Sequence, residues 1–308
     1  MAPTRVAFLF PGQGSQHPGM GLELLVDPDL FALCKECGDA AGVDLTRLLT
    51  EADEDELRLT ENAQPALCFT SIALARVLGR GGVHPVAVAG HSVGEYAALA
   101  VAGSMSAADA VAAVRHRGLV MADAVPAGTT SMAAVLGLDP PTVEAVLEGV
   151  SDVWPANYNT PTQTVIGGRI EALEIAEDLL KRSGARKVIR LNVSAAFHTP
   201  LMVSAAANLK TYLDGMNWSA PQVPVIANLT ARPYEGVVDL TATLEKQLFS
   251  PVRWANSVRM MGELGCDGFL ELGPRRALTG MMRELAPNAF AAAIATPEGC
   301  IELEMSAK

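Results

Sequence analysis

The residue types best suited to covalent chemistry lie in one short segment, Gly90-His91-Ser92-Val93-Gly94, which has a G-x-S-x-G pattern. The apolar run 85–89 before it predicts a strand, and the alanine-rich run 95–101 after it predicts a helix. A tight strand-to-helix turn of this kind projects the serine hydroxyl outward, and its small glycines permit the sharp bend. The amide of Val93 would point toward a developing oxyanion. Ser92 is therefore a candidate nucleophile, and the alternative is an ordinary Gly-Ser turn that caps a helix.

A serine nucleophile needs a base, and the chain contains five histidines. His198 lies where a predicted strand gives way to a helix, at the predicted junction of two subdomains, and clefts favour such junctions. His91 adjoins the serine, so we expect its side chain to point away from the hydroxyl. The remaining three lie in proline-flanked loops or between two arginines: His17, His84 and His116. His198 is therefore the predicted base, although a loop histidine taken alone more often makes local hydrogen bonds.

Two further segments could serve the same site. The glycine-rich run 11–16 follows the first predicted strand, 5–10, and its backbone could bring an amide to the same oxyanion. A phosphate cradle is the alternative, but the run lacks the lysine of a nucleotide-binding loop. Arg117 lies on the second helix after the serine. Facing a cleft, its guanidinium would hold the free carboxylate of an acyl group by two hydrogen bonds, whereas facing outward it would be a solvated surface residue.

Composition excludes several classes of protein. The chain has 308 residues, half of them hydrophobic, and a net charge of −11, so it can bury a large core and is a poor nucleic-acid binder. No stretch is apolar enough for a transmembrane helix, and the N-terminal residues lack a signal-peptide pattern, so we expect a cytoplasmic protein. Cys34 and Cys37 have no second pair or histidine cluster nearby, so we predict ordinary thiols and no metal site.

Short apolar runs that alternate with helical patterns predict an α/β fold with a central, mostly parallel sheet. Residues 129–194 differ from the rest, because their predicted order is β-α-β-β-α-β, which is the order of a small ferredoxin-like α+β unit. We therefore predict that this unit, residues 129–194, is inserted into a larger discontinuous subdomain formed by residues 1–128 and 195–308.

Segments that span nearly the whole chain resemble those of the malonyl-CoA:acyl carrier protein transacylases, an acyltransferase family of fatty acid and polyketide synthesis. No single segment would suffice, but together and in family order they are highly specific. The matching segments are FLFPGQGSQ near the start, ENAQPAL at 61–67, GHSVGEYAAL at 90–99, RG at 117–118, AVPAGTTSMAAVLGL at 124–138, NYNTPTQTVIGG at 157–168, AFHTPLM at 196–202, QLFSPVRW at 247–254 and ELGPRRALTGM at 271–281.

The resemblance implies a hydrolase-like core and a ping-pong mechanism. Ser92 would attack the thioester of malonyl-CoA while His198 removes its proton, and the amides of Gln13 and Val93 would stabilise the oxyanion. Arg117 would pair with the malonyl carboxylate. The phosphopantetheine thiol of an acyl carrier protein would then accept the malonyl group. The family implies no cofactor beyond the CoA thioester substrate, and we expect a monomer.

The resemblance also suggests roles that the residue types alone do not indicate. The backbone near Gln247 would orient His198, and Phe197 would limit the space beside the acyl α-carbon, which favours malonyl over larger units. Arg275 and Arg276 depart from the family pattern and could form part of a docking surface for an acidic carrier, or simply a solvated turn. Further candidates for a basic patch are Lys181, Arg182, Arg186 and Lys187.

Three other functions remain open at this point. The first is a serine esterase or thioesterase, which would have no use for Arg117 beside the acyl chain. The second is a free-standing acyltransferase of a polyketide synthase, loading malonyl or a substituted malonyl unit. The third is a catalytically silent scaffold, which the joint presence of Ser92, His198 and Arg117 disfavours.

Overall fold

The computed structural model describes residues 3–300, whose strands form two separate sheets. The strands are β1 (Val6–Phe10), β2 (Ala87–Gly90), β3 (Thr130–Leu136), β4 (Val153–Thr160), β5 (Gln163–Arg169), β6 (Lys187–Arg190), β7 (Val225–Ile226), β8 (Gly268–Leu272) and β9 (Phe290–Ile294). One sheet has the order β7-β2-β1-β8-β9 with every pair parallel. The other has the order β4-β5-β3-β6 with every pair antiparallel.

Helices cover both sheets. They are α1 (Pro28–Ala41), α2 (Leu45–Thr50), α3 (Glu54–Arg58), α4 (Thr60–Arg80), α5 (Gly94–Val101), α6 (Ala107–Ala122), α7 (Pro140–Leu147), α8 (Ile170–Arg182), α9 (Val203–Asp214), α10 (Leu240–Leu248), α11 (Trp254–Glu263) and α12 (Met282–Leu285). Aspartate or serine side chains accept hydrogen bonds from first-turn amides at the starts of α1, α2, α3, α6 and α7. Within residues 3–300, no helix is long and apolar enough to cross a membrane.

The parallel sheet is buried on both faces, which explains why its strands are almost entirely apolar. Side chains alternate between the faces along each strand. In β1, Phe8 and Phe10 pack into the main core with the helices α1, α4, α5 and α6, whereas Ala7 and Leu9 face a second cluster that includes α11. The sheet is therefore a rigid platform, and the loops at the carboxyl ends of its strands carry the candidate site.

The antiparallel sheet has two different faces. Ala133 and Val135 of β3 point toward α7 and α8 and form a small core of their own. Met132 and Ala134, the alternate residues, point the other way, where they line a cavity against the larger part of the molecule. One face of the antiparallel sheet thus packs against α7 and α8, and the other face lies over the cavity, opposite the parallel sheet.

The predicted α/β class is confirmed, and the strands of the antiparallel sheet lie between residues 130 and 190, in the predicted order β-α-β-β-α-β. The apolar runs 187–193 and 223–228 also predict strands, and the structure has shorter strands at both places. The predicted strand 187–193 ends at Arg190, because Leu191 and Val193 turn to line the cavity. The predicted strand 223–228 is only Val225–Ile226, because Asn228 leaves the sheet to bond elsewhere. The edge strand β9 was not predicted.

Candidate active site

Ser92 lies on a sharp turn between β2 and α5. Its φ is 54°, in the left-handed region that non-glycine residues rarely adopt. The turn is possible because both flanking glycines lack a side chain. A Cβ on Gly90 would lie 1.8 Å from the carbonyl carbon of Gly94, and a Cβ on Gly94 would lie 2.2 Å from the carbonyl oxygen of Phe10. The geometry is that of a nucleophile elbow, and the hydroxyl lines the cavity between the two sheets.

The hydroxyl of Ser92 meets the imidazole of His198. The distance from Ser92 Oγ to His198 Nε2 is 2.7 Å, and Nδ1 of the same ring lies 2.8 Å from the main-chain oxygen of Gln247. A carbonyl oxygen can only accept, so Nδ1 carries the proton and Nε2 is free to accept the serine proton. His198 also has a positive φ, 59°. Two constrained residues from distant parts of the chain therefore form a hydroxyl–imidazole pair without a carboxylate on the second ring nitrogen.

Arg117 also contacts the hydroxyl of Ser92. Its side chain is only 1% exposed, and one terminal nitrogen, NH2, donates to Ser92 Oγ over 3.1 Å. NH2 also donates to Oε1 of Gln247, at 3.2 Å, and the other terminal nitrogen donates to Oε1 of Gln64, at 2.8 Å. These partners are neutral, and no carboxylate in residues 3–300 forms an ion pair with Arg117. The guanidinium is thus buried beside the serine without a direct anionic partner.

The close packing of α4 against α6 positions this arginine. A Cβ on Gly118 would lie 2.5 Å from the Cα of Glu61, so only glycine allows the two helices to approach this closely. Pro65 has no N–H for the carbonyl of Glu61 one turn earlier, and Arg115 of α6 donates to that carbonyl instead, at 2.7 Å. The two helices are thereby fixed at a distance at which Gln64 reaches Arg117.

The two residues whose amides would stabilise an oxyanion, Gln13 and Val93, lie on neighbouring loops. Strands β1 and β2 are neighbours, with Phe10 opposite Gly90, so the loop that carries Gln13 runs beside the serine turn. Both Gln13 and Val93 line the cavity. Within the described residues, neither backbone N–H donates to a protein acceptor, and Val93 lies at the N-terminus of α5. Unfilled amides beside a helix N-terminus are suited to bind a negatively charged oxygen.

The cavity has a volume of about 290 Å³ and is lined mainly by apolar side chains. Phe197, which is buried, lies on its wall next to the imidazole. His91 also lines the cavity, but its Nε2 lies 3.0 Å from Oδ1 of Asn159, and no hydrogen bond joins it to the hydroxyl of Ser92. The other apolar lining residues are Met121, Met132, Ala134, Val165, Leu191, Val193, Ala277, Leu278 and Met281.

Burial shifts the protonation of the ionisable groups around the cavity. Burial, together with the neighbouring charge of Arg117, lowers the pKa of His198 to about 3. The imidazole is therefore neutral, and able to act as a base, throughout the physiological range. Burial also lowers the pKa of Arg117 and raises that of Glu95 to about 7, although hydrogen bonds from Tyr234 and Gln247 stabilise the Glu95 carboxylate.

Three polar residues that the sequence did not single out complete the site: Gln64, Glu95 and Asn228. Asn228 accepts a hydrogen bond from the amide of Ser92 at 2.7 Å and donates to the carbonyl of Gly90 at 2.6 Å, which braces the turn from behind. It follows β7, the neighbour of β2, so its position at the carboxyl end of a strand could have indicated it. Glu95 and Gln64 lie on helices whose sequence pattern indicates only apolar packing, so the pattern does not mark these two residues as part of a site.

The two consecutive arginines of the sequence lie close to the cavity. Arg275 and Arg276 are exposed and immediately precede Ala277, a lining residue. The loop is fixed by the buried carboxylate of Glu271, which accepts from three successive amides beginning at Ala277, at 2.6–2.9 Å. A docking role for these arginines stays a prediction. The other candidates for a basic patch are also exposed: Lys181, Arg182, Arg186 and Lys187.

The cysteines lie away from this chemistry. All five are buried, and burial raises the pKa of Cys34 to about 11 and of Cys37 to about 12, so both thiols stay protonated and unreactive. In the described part of the chain, no group of three or more histidine, cysteine, aspartate or glutamate side chains is placed to hold a metal ion.

A serine on a strand-to-helix turn, paired with an imidazole, is the arrangement of enzymes that transfer acyl groups through a covalent ester. Residues 7–294 match the family model of the acyl transferase domain, and the chain belongs to this family. It is 42% identical over 300 residues to the malonyl CoA-acyl carrier protein transacylase of Bacillus subtilis, across 96% of this chain and 95% of that protein. The Escherichia coli K12 protein of the same name is 39% identical over 299 residues, across 96% and 97%.

Solved structures agree with these relatives. The malonyl CoA-acyl carrier protein transacylase of Coxiella burnetii superposes with a TM-score of 0.95 at 35% identity, covering 99% of this chain and 98% of that one. A malonyl-transacylase solved in complex with a type II PKS acyl-carrier protein superposes with a TM-score of 0.94 at 37% identity, covering 98% and 100%.

Proposed function

We propose that this protein transfers a malonyl group from coenzyme A to the phosphopantetheine thiol of an acyl carrier protein, through a malonyl ester of Ser92. The observation that carries the proposal is the position of one hydroxyl between two groups. Ser92 Oγ lies 2.7 Å from a neutral imidazole nitrogen of His198 and 3.1 Å from the buried guanidinium of Arg117. A nucleophile, its base and a ligand for the carboxylate of the acyl group thus meet at one point.

In the first half-reaction, Ser92 Oγ attacks the thioester carbonyl carbon while Nε2 of His198 takes the hydroxyl proton. The carbonyl oxygen becomes an oxyanion, which accepts hydrogen bonds from the amides of Gln13 and Val93. Each such donor contributes on the order of 3 kcal/mol to stabilising the transition state. The main-chain oxygen of Gln247 stabilises the protonated ring. The carbon–sulfur bond then breaks, and the imidazolium returns the proton to the departing CoA sulfur.

The second half-reaction uses the same groups in the reverse order. The thiol of the phosphopantetheine arm enters the emptied position, and His198 takes its proton as the sulfur attacks the ester carbonyl. The ester bond breaks, and the proton passes to Ser92 Oγ, which restores the hydroxyl. A thioester is exchanged for a thioester, so the reaction needs no redox cofactor and no metal.

Arg117 favours malonyl over an uncharged acyl group. A buried guanidinium without an anionic partner gains from pairing with a carboxylate, and its Nε has no acceptor among the described residues. A general esterase would have no use for such a group beside its nucleophile. The apolar lining of the cavity limits the access of water to the malonyl ester, which a transferase requires and a hydrolase does not.

The acyl carrier protein as acceptor is inferred from the relatives. The proteins from Bacillus subtilis and Escherichia coli are named for transfer to an acyl carrier protein, and a similar malonyl-transacylase has been solved in complex with one. The chain covers 95% of the length of the Bacillus subtilis protein and 97% of that of the Escherichia coli protein. Phe197 on the cavity wall supports malonyl over larger substituted units, because it occupies space beside the nucleophile.

Intact-protein mass spectrometry tests the proposal directly. After mixing with malonyl-CoA, we expect the protein to gain the mass of one malonyl group, and we expect a phosphopantetheinylated carrier protein to remove that mass and acquire it. Mixtures that also contain methylmalonyl-CoA or acetyl-CoA report the acyl preference in the same spectrum. Release of the malonyl group to water at the rate at which it reaches the carrier would contradict a transferase and indicate a thioesterase.

The replacement Arg117→Ala is expected to separate malonyl from uncharged acyl groups. Losing charged hydrogen bonds to the malonyl carboxylate should slow malonyl loading by roughly 10- to 100-fold, whereas acetyl loading should persist or rise. Stopped mixing followed by mass spectrometry measures both rates. Arg80→Ala is the control, because this arginine lies at the far end of α4, does not line the cavity and forms ion pairs with Asp27 and Asp29. An equal loss for malonyl and acetyl in Arg117→Ala would contradict the role of carboxylate ligand.

The pH dependence of malonyl loading should lack the inflection of an ordinary histidine. Because burial and Arg117 lower the pKa of His198 to about 3, the imidazole remains almost entirely neutral at pH 5 and can still accept the serine proton. The loading rate measured between pH 8 and pH 5 should therefore show no decrease centred near 6.5. A decrease in rate centred near pH 7 that disappears in Glu95→Gln would come from the Glu95 carboxyl. A decrease centred near pH 6.5 that persists in Glu95→Gln would contradict the lowered pKa of His198.

A further inference from the structure

Glu95 is a buried ionisable group of this site that takes no part in the acyl transfer. Its side chain is fully buried in the first turn of α5, three residues after Ser92. One carboxylate oxygen, Oε2, accepts from Nε2 of Gln247 at 2.8 Å and from the backbone amide of Asn228 at 3.1 Å. The other oxygen, Oε1, accepts from the hydroxyl of Tyr234. This carboxylate therefore ties α5, α10 and the segment after β7 together.

The orientation of the Gln247 side chain follows from these contacts. Its amide nitrogen donates both hydrogens, one to the carbonyl oxygen of Ser92 at 3.0 Å and one to Glu95. Its oxygen, Oε1, accepts from Arg117. In its ionised form the Glu95 carboxylate can only accept, so this form requires the nitrogen of Gln247 to face it. The oxygen must then face the guanidinium, because the reverse orientation would place N–H groups against Arg117 and the amide oxygen against the carbonyl oxygen of Ser92.

We propose that Glu95 is a positioning residue for malonyl selectivity, acting through the side chain of Gln247 to hold Arg117 in place for the substrate carboxylate. This inference rests on the proposed function above. Glu95 touches neither the substrate nor the reacting atoms. The main-chain oxygen of Gln247 holds His198 and its side chain holds Arg117, so one residue links the base to the carboxylate ligand, and Glu95 fixes that residue.

Two replacements of Glu95 separate the hydrogen bonds from the charge. Glu95→Ala leaves one of the two N–H groups of Gln247 and the backbone amide of Asn228 without an acceptor, so the Gln247 side chain is held less firmly in the orientation that faces Arg117. Glu95→Gln can still accept both hydrogen bonds with its amide oxygen, while its amide nitrogen donates to the hydroxyl oxygen of Tyr234. It removes only the negative charge, which otherwise weakens the attraction of Arg117 for a carboxylate.

The experiment measures the ratio of malonyl to acetyl loading rates on the full chain by mass spectrometry. We expect Glu95→Ala to lower this ratio at least about tenfold, and Glu95→Gln to keep or raise it. Gln247→Leu retains the main-chain oxygen that holds His198 but removes the acceptor for Arg117, so it should lower the ratio as Glu95→Ala does. The double replacement Glu95→Ala/Gln247→Leu should lower it no further than Gln247→Leu alone, because both act through one contact.

Tyr234→Phe is the matched control, since it removes the third hydrogen bond to the same carboxylate without touching the contact with Gln247. It should leave the ratio unchanged, whatever its effect on thermal stability. The inference is overturned if Glu95→Ala leaves the ratio of malonyl to acetyl loading unchanged. It is also overturned if Glu95→Gln lowers this ratio as much as Glu95→Ala does. If Glu95→Ala does not fold, an unchanged ratio in Gln247→Leu overturns it equally. A wild-type chain that forms no malonyl adduct would contradict the proposed function itself.

Discussion

The replacement Ser92→Ala is expected to abolish the malonyl adduct completely and to remove transfer to the carrier protein. The hydroxyl is the only group that lies within hydrogen-bond distance of both the imidazole of His198 and the guanidinium of Arg117 among the described residues. Without it no ester can form, and the two-step route is closed. In serine enzymes, loss of the nucleophile costs on the order of 10⁶ in rate. Intact mass after mixing with malonyl-CoA is the direct measurement.

Ser15→Ala provides the matched control for this experiment. Ser15 lies in the same cavity and is buried, but its hydroxyl donates to the carbonyl oxygen of Gly12 at 2.7 Å and meets no histidine. The Ser15→Ala protein should still gain one malonyl group. Persistence of the adduct in Ser92→Ala would place the nucleophile on another side chain, and peptide mapping of the labelled protein would then identify it.

The second large effect is expected from His198→Ala, which should slow malonyl loading by ~10²–10⁴, the usual range for loss of a general base. Ser92 would keep its position, because its backbone is held by Asn228 and Gln247 rather than by the imidazole. The adduct should therefore still form, but slowly, and faster at high pH, where hydroxide replaces the missing base. Rates from single-turnover mixing across pH 7 to 9 give both quantities.

His91 offers the corresponding control, since it is the other histidine of the cavity. Its Nε2 bonds to Asn159 and not to the serine, so His91→Ala should cause a much smaller decrease in the loading rate. Equal losses in the two variants would mean that His198 is not the base. A loss of less than tenfold in His198→Ala would have the same meaning.

The parts of the site that the sequence could predict are those whose local pattern has few alternatives. The bend at Ser92 needs two glycines, a strand before it and a helix after it, and the sequence pattern predicts each of these. The parallel sheet follows from short, fully apolar runs separated by helices. Only the family resemblance indicates Gln247. Its main-chain oxygen accepts the hydrogen bond from His198, and every residue has such an oxygen, so the residue type carries no signal.

The long-range polar contacts of the site could not be predicted from the sequence. Glu95 belongs to an alanine-rich helix, where a single carboxylate ordinarily faces solvent, and its burial depends on partners 133 to 152 residues away. Strand β9 was missed because Phe290–Ile294 pairs only with β8 at the edge of the sheet and contains mostly alanine, which has low strand propensity. For Glu95 the deciding interactions come from elements distant in the chain, which a single sequence does not record.

The alternating faces of β3 have a consequence for how substrate preference can evolve. The ceiling over the acyl group comes largely from one continuous stretch, which includes Met132, Val165 and Leu191, whereas the serine and the arginine come from the platform beneath it. The side chains of the ceiling that line the cavity are apolar or, at Asn157, Asn159 and Gln163, polar but uncharged. Mutations in the ceiling can increase or decrease the space for the acyl chain in steps as small as one methyl group. Acyl units of a different size can therefore be accepted while the catalytic residues remain unchanged.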